Sequence, residues 1–208
     1  MLSQRLKTIL AMVPDDIETV WDLCCDHGHL GNHLAQRQKV RRVNLVDCVP
    51  SIIQRLELAN EKCHKFAIRA QEVQIEWKNS ECVILAGVGA HLVIDILNNI
   101  LRTFLYTSSF FVFCPHQNIE KLRKFLIQQK FQLRQEKLIH DAGKFYQVFS
   151  GTFSQQKSNL SELGASGLWQ QGEISKLYWQ KQWNHFTRQQ NQPMLESLKA
   201  IKENYGPY

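Results

Sequence analysis

Val20-Trp21-Asp22-Leu23-Cys24-Cys25-Asp26-His27-Gly28-His29-Leu30-Gly31 is the stretch that decides the fold. An apolar, β-prone run ends in Asp22, a short polar loop follows, and a helical stretch opens through His33 and Leu34. A second apolar run, Val43-Asn44-Leu45-Val46-Asp47, ends in another acid. Strand, loop, helix, strand, acid is the layout that holds an adenosyl group at the carboxyl edge of a parallel sheet. The second acid can accept hydrogen bonds from two ribose hydroxyls. The loop lacks the glycines that usually mark such a fingerprint.

Working outward, residues 18–24 read as the first strand, 29–37 as a helix and 42–47 as the second strand. Pro50 starts the next helix, with Ile52, Ile53, Leu56 and Ala59 at helical spacing. Residues 66–73 read as an edge strand carrying Arg69 and Glu72. Cys82-Val83-Ile84-Leu85-Ala86 is a continuous apolar run, as in a central parallel strand covered on both faces. Gly87-Val88-Gly89 breaks it before a helix over 91–101. Residues 110–113 form the next central strand, stopped by Pro115, and 118–129 are helical. Two β-rich stretches, 131–140 and 144–153, flank the hairpin signal Asp141-Ala142-Gly143. From 154 to 166 the chain is polar and reads as a linker. Two helical stretches follow, 173–190 and another begun by Met194, Leu195, Leu198 and Ile201, broken apart by Pro193. The expected division is therefore 1–153 and 154–208.

With 208 residues, 44% of them hydrophobic and 21% charged, the chain can bury one substantial core plus a small appendage. No apolar run approaches the roughly 18 residues of a membrane span, and the first residues form an amphipathic helix without a secretory cleavage pattern. A cytoplasmic protein is expected, with no membrane partner. The net charge of +6 fits a polyanion such as RNA and fits a generally basic surface equally well. Cys24, Cys25, His27 and His29 can be read as metal ligands. Adjacent cysteines cannot easily aim both sulfurs at one ion, so no metal is expected.

The chain resembles the tRNA (adenine-22-N1)-methyltransferases. Leu2-Ser3-Gln4-Arg5-Leu6 opens the likeness, and Asp22-Leu23-Cys24-Cys25-Asp26-His27-Gly28-His29-Leu30 is similar to that family's Asp-Ile-Gly-Ser-Asp-His-Ala-Tyr-Leu. Ile84-Leu85-Ala86-Gly87-Val88-Gly89-Ala90 resembles its Ala-Gly-Met-Gly-Gly segment. Asp141-Ala142-Gly143-Lys144-Phe145-Tyr146-Gln147-Val148 resembles its Asp-Gly-Lys-x-Tyr-Glu-Val strand. Cys24 stands where the family has glycine and is expected to take an ordinary backbone angle. Asp47 replaces a glutamate, and Cys114-Pro115-His116 replaces Gln-Pro-Asn.

The resemblance implies a Rossmann-like class I methyltransferase fold: a mainly parallel sheet with a C-terminal β-hairpin, plus a small helical hairpin. It implies S-adenosylmethionine as cofactor and tRNA as partner; the sequence does not fix the oligomeric state, and a monomer is slightly favoured. Asp22, Leu23, Cys24, Asp26 and Gly28 would approach the methionine part. Asp47 and Cys48 would meet the ribose, Glu72 and Val73 the adenine, and Ala86 and Gly87 the sulfonium. Asp26, His27 and His116 are the catalytic candidates, by charge, proton or base positioning. Asp26 can equally cap the following helix, and His27 can simply pack. Arg5, Arg41, Arg42, Lys62, Lys65 and Arg69, with Lys176, Lys181 and Arg188, are candidate phosphate contacts. Trp169, Trp179, Trp183 and Phe186 read as the tail's packing face. A methyltransferase with another substrate and a non-catalytic RNA-binding relative remain as alternatives.

Overall fold

A computed structural model describes residues 2–78, 80–104 and 109–206. The apolar run at its centre forms β4 (Glu81–Ala86), whose Cys82, Val83, Ile84 and Leu85 are wholly buried. A strand apolar on both faces needs cover on both, and helices supply it. β1 (Thr19–Leu23) and β5 (Phe110–Cys114) run parallel on either side of β4. β2 (Arg42–Asp47) pairs with β1, and β3 (Cys63–Ala67) forms the edge. β6 (Phe131–Asp141) and β7 (Lys144–Phe153) are antiparallel, with β7 laid against β5. The seven strands thus run β3-β2-β1-β4-β5-β7-β6. This is the Rossmann-like class I methyltransferase sheet with a terminal hairpin.

Side chains alternate between two apolar layers. Val20, Val43, Leu45 and Ile84 pack under α1 (Gln4–Met12), α2 (His29–Leu34) and α3 (Pro50–Arg55). Leu23, Val46, Leu85 and Phe113 pack under α4 (Ala90–Ile100) and α5 (Ile119–Gln128). The helices have local causes too. Ser3 Oγ accepts the Leu6 N–H at the start of α1, and Pro50 presets the first turn of α3. The hairpin turns on Ala142 and Gly143, at φ +49° and +74°, the pair of positive angles that suits a two-residue connection.

Three elements differ from expectation, the first being α3, which ends at Arg55, short of Leu56 and Ala59. The edge strand is Cys63–Ala67, earlier than 66–73, because its register follows Val43–Asp47 of β2. The chain then leaves the sheet, and Ala70–Glu72 is a single 3-10 turn. α2 ends at Leu34 instead of Arg37. Arg37 instead donates from its guanidinium to the carbonyls of Leu10 and Val13, tying the helix end to α1.

After β7 the stretch read as a linker lies against the sheet. Leu160 and Leu163 are buried, and Asn159 exchanges hydrogen bonds with the N–H and C=O of Leu133. α6 (Ser166–Trp169), α7 (Glu173–Arg188) and α8 (Gln192–Tyr205) share a third apolar cluster built on Leu138, Trp169, Tyr178, Trp179, Phe186 and Leu198. The fully buried Arg123 of α5 joins these parts. It donates to Glu136 Oε2 and Gln147 Oε1, each at 3.1 Å, and to the carbonyl of Ser161 at 2.6 Å. Among the described residues no helix is long and apolar enough to cross a membrane.

Candidate active site

The connection leaving β1 runs toward β2, whereas β4 leads toward β5. Adjacent strands whose connections diverge leave a crevice at their carboxyl ends, where ligands of open α/β sheets bind. Here the loops after β1, β4 and β5 meet. The Gly87 N–H donates to the Cys114 carbonyl at 3.1 Å, and the His116 N–H to the Val88 carbonyl at 3.0 Å. Those bonds fix His116 opposite Gly87, where a β-carbon would lie 3.8 Å from His116 Nε2.

A cavity of about 160 Å³ opens between these loops. Asp22, Cys24, Asp26, His27, Ala86, Gly87 and His116 all line it, so residues expected from three separate stretches come together. Arg5 and Leu6 of α1 close one side, and Cys25, His29 and Leu30 complete the wall. A larger hollow, about 860 Å³, lies around Asp16, Arg37 and Ser80 at the amino ends of the strands, away from these loops.

The other expected residues stand outside the 160 Å³ cavity. Leu23 is buried on the opposite face of the sheet, and Gly28 caps α2 at φ +64°. Asp47 accepts the N–H of Asp26 at 3.2 Å and that of Val49 at 3.0 Å. It thereby holds the two strand-end loops together. Cys48 is exposed. Glu72 is exposed on its 3-10 turn, and the buried Val73 presents its carbonyl to Asn99 Nδ2 at 2.9 Å.

The loop backbone corrects one expectation. Cys24 has φ +64°, the left-handed region, and Asp26 follows at +48°. The position therefore keeps the conformation that favours glycine while carrying a β-carbon, a strain of about 1–2 kcal/mol. Cys24→Gly should accordingly stabilise the protein by about 1 kcal/mol, raising the melting temperature by roughly 2–4 °C. An unchanged or lower melting temperature in a thermal scan would contradict this. Burial, reinforced by Asp47, Cys48 and Asp22, pushes the Cys24 thiol up to about 12. Burial raises Cys25 in the same direction. Both stay protonated near neutrality and are unsuited to nucleophilic attack.

Asp22 is the most perturbed acid of the site. It is 2% exposed and accepts one backbone N–H, that of Gly31 at 3.0 Å. Desolvation pushes its carboxyl up to about 7, against the Gly31 hydrogen bond and with help from the charge of Asp47. A cation brought beside it would favour the charged form.

Gly31 itself was not among the expected residues. A β-carbon there would sit 2.3 Å from Leu45 Cδ2 and 2.9 Å from Val43 Cγ1, so only glycine lets α2 approach β2 closely enough to reach Asp22. Its spacing from Gly28 was the available signal, since the last glycine of a dinucleotide fingerprint serves this close packing.

His116 sits between positive groups. Burial first, then Arg5 and Lys144, hold its imidazole below the ordinary range, so it is neutral near pH 7. Its ring lies 5.7 Å from that of Tyr146, over which the Arg5 guanidinium sits at 5.1 Å. The Arg5 N–H donates to Asp141 Oδ2 at 3.0 Å, anchoring α1 to the hairpin turn. Across the cavity, Asp26 and His27 are solvent-exposed and 3.7 Å apart, and the His27 ring lies 5.8 Å from that of His29.

The sheet agrees with comparison to known proteins. Residues 2–149 match the family described as a methyltransferase domain. The chain belongs to that methyltransferase family. No curated protein matches the sequence significantly. Among solved structures, the chain is similar in fold to M. capricolum TrmK in complex with S-adenosyl-homocysteine, at 18% identity and TM-score 0.73, over 99% of this chain and 95% of that one. A Streptococcus pneumoniae protein in complex with S-adenosyl-L-methionine is 23% identical, with TM-score 0.76, over 98% and 99% of the two chains. The B. subtilis m1A22 tRNA methyltransferase TrmK is 15% identical, with TM-score 0.71, over 98% and 96%.

Proposed function

We infer that this methyltransferase uses S-adenosylmethionine to methylate N1 of an adenine in tRNA, at position 22. The observation that carries the reading is the cavity in which Asp22, Asp26, His27, Gly87 and His116 converge. The likeness in fold to the tRNA methyltransferase described above supports it. Residues 1–153 would perform the chemistry, and 154–208 would support the RNA.

The chain's residues fit the cofactor. The buried Asp22 has a raised pKa and, among the described residues, no ion-pair partner, so it suits a positively charged ligand. Gly87, without a side chain, leaves room for a close approach. Asp47, at the end of β2, is placed to receive ribose hydroxyls while still bracing the loops. When bound, S-adenosylmethionine supplies the electrophilic methyl group.

The protein's tasks are to align adenine N1 with that methyl group and to handle the positive charge the ring gains. The Asp26 carboxylate, exposed at the mouth, offsets that charge or takes a proton from the exocyclic amine. Neutral His116 accepts a hydrogen bond from that amine without adding a second positive charge. His27 gives the base a ring to rest against. No covalent enzyme intermediate is needed, in keeping with two thiols that stay protonated.

Incubation with unmodified tRNA and methyl-labelled cofactor, followed by mapping of the label, tests the reading. Label on N1 of adenine 22 is expected, and label on another nucleotide or on none would reject it.

The Asp22 carboxyl also makes cofactor binding pH-dependent. A cationic ligand favours the carboxylate, so binding should release a proton below about pH 7. Affinity should then rise up to tenfold per pH unit toward about pH 7 and level off above it. Calorimetry in buffers of different ionisation enthalpy reads both effects. Affinity flat from about pH 5.5 to 8 would remove Asp22 from the cofactor site.

A further inference from the structure

The crevice continues beyond His116. The same imidazole lines a second cavity, of about 320 Å³, between the loop after β5, Phe145 of β7, and Lys181 and His185 of α7. Phe145 stacks on His140 with ring centroids 4.6 Å apart, and Lys181 Nζ sits 5.3 Å from the Phe145 ring centre. On the other flank, Arg5 lines the first cavity over Tyr146, and exposed Lys144 starts the same strand. Both cations act electrostatically on His116. Among the described residues none of Arg5, Lys144 and Lys181 is in an ion pair. Glu120 is the acid in the wall of the second cavity.

Cations outside ion pairs, interleaved with aromatic rings, are the chemistry of a single-stranded nucleic acid track, where phosphates meet charge and bases stack. We propose that the RNA strand flanking the target base runs from Arg5 past His116 into the cleft between β7 and α7, with Lys144 and Lys181 facing phosphates and Phe145 facing a neighbouring base. The proposal rests on the reading of the substrate as tRNA and adds where that tRNA lies.

The double variant Lys144→Ala/Lys181→Ala tests it, since both side chains are exposed and neither touches the cofactor cavity. Direct binding of unmodified tRNA is measured over a salt series, alongside binding of S-adenosylmethionine. The expected result is roughly tenfold weaker tRNA binding at ~0.1 M salt, with the slope of log K against log salt shallower by about 1.4–1.8 for two lost phosphate contacts. Cofactor affinity should match the wild type. A variant with wild-type tRNA affinity and slope overturns the track while leaving the tRNA reading intact. A wild-type protein that binds no tRNA overturns both.

Discussion

Asp26→Asn should lower turnover at least about 100-fold, within the range lost when a charged or proton-handling group is removed from a transition state. Asparagine keeps the size of the side chain and tolerates the φ of +48° at this position, so the loop should hold. Cofactor affinity should stay close to wild type, because residue 26 meets Asp47 through its backbone N–H and not through its carboxylate. Single-turnover methylation beside cofactor calorimetry separates the two quantities. Normal turnover would take Asp26 out of the chemistry, and a matching collapse in cofactor affinity would reassign it to binding.

Arg123→Met should be the most damaging substitution for stability. The guanidinium and the Glu136 carboxylate are both buried, at 0% and 3% exposure and 3.1 Å apart. Removing one partner leaves an uncompensated charge in the interior, a loss of about 3–5 kcal/mol. The melting temperature should fall by roughly 10 °C at the 2–4 °C per kcal/mol usual for a chain of this size. The double variant Arg123→Met/Glu136→Gln should recover part of the loss, because the orphaned charge is then gone. A single variant melting within about 2 °C of wild type would contradict the ledger for this pair.

The central strands were readable because burial on both faces forces an uninterrupted apolar run, as in β4. The strand–loop–helix unit from Val20 was readable because its acids and its turn recur at fixed places around the crevice. The edge strand β3 was placed too late. With His64 and Lys65 partly or fully exposed, it carries no such run, and only pairing with β2 fixes its register. The backbone angle of Cys24 was hidden for a different reason. Strain at one residue is imposed by neighbours that hold the loop, here the Cys25 N–H bonded to the Val46 carbonyl. Polarity misled at the stretch after β7, where the Ser158 and Asn159 side chains hydrogen-bond backbone groups and the Ser161 carbonyl accepts from the buried Arg123. The pairing of Arg123 with Glu136 is invisible in one dimension, since each alone reads as a surface charge. In the site, the strand-end loops were legible together, whereas Gly31 and the position of α1 over the cavity depend on helix packing.

The bond from the Arg5 N–H to Asp141 spans 136 positions. A ribosome releases the first helix early, yet the wall that helix provides can only be fastened once the final hairpin has emerged and paired. At roughly 5–20 residues per second, that leaves several seconds in which the nascent enzyme has its cofactor loops but lacks a closed substrate side. The wall that α1 supplies therefore closes only after the hairpin has formed, later than the cofactor loops it faces.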